Sequence, residues 1–169
     1  MSIVPDSTFP EGDQKTFQRK HIVVPLALNE VLQESLRKAQ VQVDKVKLIV
    51  RCETLPLVIA EHGEMVKLFD ELLGMILNHP PDAGRLFLYI NCEEDNSDII
   101  DMTLEEGIKR YCIKFHTNII THENWRLVNS QGLINCRQIL SRHNGNLAVN
   151  DIGNTGCLFS VLLPGKIEQ

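Results

Sequence analysis

Two places in the chain gather side chains that could do chemistry. In "KRYCIKFHTNI" (109–119) an alternating pattern puts Cys112, Lys114 and His116 on one face, with His122 close behind. Thiolate and imidazole are zinc ligands, but a structural zinc takes four, and no second pair of ligands stands at a recognisable spacing. No metal site is therefore expected. The second place is Glu71, on the flank of a long apolar-striped segment. A carboxylate there is either a solvated surface group or a general base, and a base needs a substrate held beside it. No Ser-His-Asp or Cys-His arrangement can be argued from residue order alone. Trp125, the only tryptophan, reads as a core plug or a partner anchor.

The elements that must position these groups are legible from periodicity. "LNEVLQESLRKAQVQV" (28–43) spaces Leu28, Val31, Leu32, Leu36 and Ala39 as one helix. "HGEMVKLFDELLGMILNH" (62–79) stripes Val66, Phe69, Leu73, Ile76 and Leu77, and Pro80 and Pro81 end it. "SQGLINCRQILSRHNG" (130–145) spaces Leu133, Cys136, Ile139, Leu140 and His143 as a third helix, closed by Asn144-Gly145. Strands are predicted at "HIVVPL" (21–26), "KVKLIVRCE" (45–53), "LPLVIAE" (55–61), "RLFLYINCE" (85–93), "KRYCIKFHTNI", "NLAVND" (146–151) and "GCLFSVLLP" (156–164). The acidic connection "EEDNSDIIDMTLEEG" (93–107) receives no assignment. About three helices among six or seven strands predict an α/β fold: a two-layer sandwich, its mixed, mostly antiparallel sheet covered by helices on one face.

Composition narrows the classes. The chain has 169 residues, suiting one domain (21–169) behind a loose arm (1–20). It is 43% hydrophobic, enough for a core, and its net charge of −5 comes without a basic patch, so no nucleic acid is expected. No apolar stretch is long enough to span a bilayer, and the N-terminus lacks the apolar region of a signal peptide. Five cysteines at scattered positions, none in a CxxC, read as reduced thiols of a cytoplasmic protein.

The order of elements, with "VKLIVRCETLPLVIAEHGEMVKLFDELLGMI" early and "GLINCRQILSRHNGNLAVNDIGNTGCLFSVLLPG" late, resembles the ATP-binding domain of sensor histidine kinases, the GHKL superfamily with the Bergerat fold. The likeness covers about residues 22–165. It implies a nucleotide site built from three motifs. On the second helix the family writes E-x-x-x-N or N-x-x-x-N, whose last Asn holds Mg²⁺. Here "ELLGM" keeps Glu71 at the general-base position but sets Met75, a soft thioether, where the hard cation wants oxygen. Asn78, one turn on, reads as a helix-end residue before Pro80. Where the family writes Asp-x-Gly for adenine, Thr117 and Ile119 stand. Of the glycine-rich lid only Gly132 and Leu133 remain, with Ser130 replacing the first glycine, and "IITHENWRLVNSQ" before them holds no glycine.

The resemblance thus implies a degenerate site and a non-catalytic relative that works by protein contact in a signalling pathway, without a cofactor. Its alternative is a genuine kinase domain with diverged motifs that binds ATP with Mg²⁺. The arm is too short for the phosphoacceptor helix pair that precedes this domain in the family. The old site is expected to close, with the second helix and residues 119–125 packing together. The partner's identity and self-association stay open.

Overall fold

The computed structural model describes residues 24–81, 84–95, 107–119, 130–152 and 156–166. The N-terminal arm, most of the acidic connection, His122 and Trp125 lie outside the described residues. So does the part of the expected closure that runs beyond Ile119.

The chain order is β1 (Val24–Ala27), α1 (Leu28–Lys38), α2 (Gln40–Val46), β2 (Ile49–Cys52), β3 (Leu57–Ala60), α3 (His62–Leu77), β4 (Phe87–Glu94), β5 (Lys109–Thr117), α4 (Gln131–Ser141), β6 (Asn146–Asp151) and β7 (Cys157–Lys166). Among the described residues seven strands form one sheet, in the order β1-β3-β7-β5-β4-β2. β6 lies beside β7 along Cys157–Leu162, and β3 takes up the same edge at Gly165–Lys166. All pairings are antiparallel except β2 with β4.

Alternation decides which face is covered. On β5, Tyr111, Ile113, Phe115 and Thr117 are buried, while Arg110, Cys112, Lys114 and His116 are half-buried on the other face. β7 repeats the pattern with Cys157, Phe159, Val161 and Leu163 inward. Against this face pack the apolar stripes of α1, α3 and α4. Phe69 of α3 meets Phe115 of β5 edge-on, with ring centroids 5.5 Å apart.

Two expectations need correction. The first predicted helix is two: the chain kinks at Ala39, whose ψ of 12° breaks the helical run although the Val43 amide still bonds the Ala39 carbonyl at 2.9 Å. The fold therefore has four helices among the described residues. The strand predicted from Lys45 begins only at Ile49, because α2 runs to Val46 and Lys47 takes a left-handed conformation (φ 54°) at its C-terminus. Among the described residues no helix is long and apolar enough to cross a membrane.

Candidate functional site

α3 positions Glu71 and Met75. Its N-terminus is fixed by the Glu61 carboxylate, which accepts from the amides of Gly63 (3.0 Å) and Glu64 (2.7 Å). The apolar stripe then buries Leu68, Phe69, Leu72 and Ile76, leaving Glu71 half-buried on the flank facing α4. α4 begins at Ser130, whose hydroxyl oxygen accepts from the Leu133 amide at 3.3 Å. The same hydroxyl donates to the Met75 sulfur at 3.5 Å. Asn135, on the next turn of α4, donates its amide to the Glu71 carboxylate at 3.1 Å.

Gly132 lets these helices meet. A Cβ built on it would stand 3.2 Å from both the Glu71 carboxylate and the Met75 thioether, tighter than an ordinary contact. Below it, Leu133 and Cys136 are wholly buried. Burial, reinforced by the Glu71 carboxylate, pushes the Cys136 thiol up to about 12, so it is protonated and inert at neutral pH.

The structure thus brings Glu71, Met75, Ser130, Gly132 and Leu133 together. Thr117 and Ile119 sit at the end of β5, both buried. Among the described residues the Thr117 hydroxyl has no hydrogen-bond partner, and its carbonyl faces Gly156 of the last turn. Between them Asn118 accepts from the Phe87 amide (2.9 Å) and donates to the Arg85 carbonyl (2.7 Å), tying β5 to the start of β4. Asn78 is elsewhere: exposed, it caps the C-terminus of α3 just beyond Leu77 and lines a groove between α1 and α3, with Ser35, Lys38 and Asp70. Cys112 and His116 share the outer face, where His116 meets the Asn91 side-chain oxygen at 3.1 Å. Among the described residues no three His, Cys, Asp or Glu side chains converge as a metal site.

Sequence reasoning missed Asn135, since only helix packing brings it to Glu71. It also missed the bridge made by His143. This buried imidazole joins the Ile139 carbonyl of α4 (2.8 Å) to the Glu61 amide at the head of α3, where Nε2 accepts at 3.3 Å.

With this geometry in hand, the relatives are informative. No protein-family model matches the chain, and no curated protein sequence does. The fold is that of the catalytic ATPase domains of sensor histidine kinases. A mycobacterial sensor histidine kinase, MprB, superposes with a TM-score of 0.63 at 17% identity, covering 87% of this chain and 100% of its own. The catalytic domain of the histidine kinase ThkA gives 0.64 at 15% identity, with 87% and 99% covered. The histidine kinase AdeS of Acinetobacter baumannii gives 0.61 at 13%, with 88% and 70% covered.

Proposed function

We propose that the chain is a non-catalytic relative of the histidine kinase ATPase domains that acts by protein contact in a cytoplasmic signalling pathway. The observation that carries this reading is the seating of α4 on α3. Glu71, which would be the base, is held by Asn135, and Met75, which would replace the metal-binding Asn, is held by Ser130. Gly132, the surviving lid glycine, is pressed against both. The side chains that the fold would turn toward a nucleotide are thus engaged in joining two helices.

The donor set does not fit Mg²⁺. A thioether is a soft ligand, the Ser130 hydroxyl proton is given to that sulfur, and a single carboxylate remains. The free thiols of Cys52, Cys92, Cys112 and Cys136 suit a reducing compartment.

One observation favours a second reading, a diverged ATP-binding domain. The Thr117 hydroxyl, without a partner among the described residues, is a buried polar group of the kind a ligand can satisfy, at the place where the family contacts adenine. One titration decides between the two. With Mg²⁺ and about 1 mM ATP, the melting temperature of the full chain is expected to stay unchanged, since a ligand that does not bind the native state cannot stabilise it. Glu71→Ala should leave ATP hydrolysis at the background rate of the parent. A Mg²⁺-dependent rise in melting temperature, or hydrolysis lost in Glu71→Ala, establishes the second reading instead.

A further inference from the structure

The helices pack on the inner face of the sheet, and among the described residues no element covers the outer one. A sheet covered on one side normally turns polar residues outward. At one corner this sheet does not. The ladders pair Leu88 with Thr117 and Thr117 with Cys157, so one step further Phe87, Asn118 and Gly156 stand in line. Ile152, just past β6, closes the row, its amide donating to the Gly156 carbonyl at 2.9 Å. Both ends of the row are large and apolar, Phe87 and Ile152 each being 48% exposed. The middle is low: Gly156 has no side chain, and the Asn118 side chain is tied down to Phe87 and Arg85. In the next row Tyr89, His116 and Leu158 lie side by side, all half-buried, with the Tyr89 and His116 rings 5.4 Å apart. An outward apolar patch of this kind marks a contact surface.

Charge and size narrow what covers it. The carboxylates of this face are engaged: Glu93 pairs with Lys114, and Glu53 accepts from the Tyr89 hydroxyl. Exposed bases, Arg51 and Arg85, stand only at the β2–β4 flank, while the β6 flank exposes the uncharged Ala148 and Asn150. The corner thus has no field of one sign to attract a strongly charged partner, and one flank tolerates the bases of the other. Five strands, β2, β4, β5, β7 and β6, spaced about 4.8 Å apart and about seven residues long, present roughly 550 Å² of face. Two such faces bury roughly 1,100 Å², the size of a weak but specific protein pair.

We propose that two copies of the chain meet here, sheet against sheet, about a two-fold axis that runs along the strands between β5 and β7. This axis sets Phe87 against the partner's Ile152 and Ile152 against the partner's Phe87, so all four protruding side chains are buried at once. It also carries Arg51 to the uncharged β6 flank of the other copy. A two-fold axis across the strands would instead bring the two Arg51 side chains together. The assignment is independent of whether the Glu71 cluster binds nucleotide.

Sedimentation velocity on the full chain, from about 1 µM to about 500 µM, is the test. The mass is expected to rise from one chain to two, with a dissociation constant on the order of 10–100 µM. Phe87→Lys and Ile152→Asp should each weaken pairing about tenfold or more, and leave the melting temperature of dilute protein within about 2 °C, because both side chains lie at the surface. Mixed one to one, the two variants should pair more tightly than either does alone. The introduced amine of one then faces the introduced carboxylate of the other, and the second contact is unchanged. If one variant fails to fold, the other decides alone whether this face is used. The assignment is overturned by a chain that stays single up to about 500 µM, by assembly beyond two copies, by a folded variant that pairs as the parent does, or by a mixture that pairs no better than its components.

Discussion

Gly156 sits at φ 135°, and a Cβ built there would stand 2.0 Å from the Thr117 carbonyl oxygen. Neither the backbone conformation nor the space admits another residue. Gly156→Ala should therefore cost about 3 kcal/mol or more, read as a lowered urea midpoint at unchanged slope. The sequence shows this glycine at the start of the last predicted strand, but not the carbonyl that demands it, which belongs to a strand about forty residues earlier. His116 makes a second residue-scale case. Burial first, then Lys114, holds its pKa below the ordinary 6.5, against a smaller opposite pull from Glu93. Well above pH 6.5 the ring is neutral whether the chain is folded or not. As pH falls below that, the unfolded chain takes up a proton that the folded one resists, so stability is lost down to the folded pKa. The melting temperature should fall between about pH 7 and 5, and His116→Gln should flatten part of that fall.

Among the elements, α3 and α4 are joined at both ends of their contact, by Glu71–Asn135 and Met75–Ser130 at one and by His143 at the other. His143→Leu keeps the volume roughly but leaves the Ile139 carbonyl and the Glu61 amide without their side-chain partner. A loss of about 2–4 kcal/mol is expected by chemical denaturation, with the amides at the head of α3 exchanging faster. The helices themselves were legible because long apolar stripes leave little choice: α3, with Val66, Phe69, Leu73 and Ile76, reads correctly from spacing alone. The kink at Ala39 was not legible, since Leu36, Ala39 and Val43 keep helical spacing across it and all pack on the core. Lys45–Val46–Lys47–Leu48 alternates as a strand would, yet the first two residues finish a helix and the third turns the chain. Local pattern cannot tell a short helix end from a strand start when both are amphipathic. The candidate site was legible as a list of altered residues, Met75, Thr117 and Ile119, but not as a packing unit, because Asn135 and Ser130 meet α3 only through tertiary contact.

At the scale of the molecule, the two-layer architecture followed from alternating strands and striped helices, whereas the strand order did not. That β2 runs parallel to β4 while every other pair is antiparallel depends on chain crossings that no local run of residues records. The central place of β7 is of the same kind. It lies between the β1–β3 pair and the β5–β4–β2 group, and among the described strands it alone is hydrogen-bonded to both. It also comes after all the other described elements in chain order. A chain growing from the ribosome can therefore form α1, α3 and two separate fragments of sheet, but it has no ladder to join them until β7 follows. Contacts that close such long loops come late and slowly, leaving the facing edges of β3 and β5 open in the meantime. The nascent protein thus passes through a stage in which its interior is exposed along one seam, where a chaperone, or a second unfinished chain, could dock before β7 fills it.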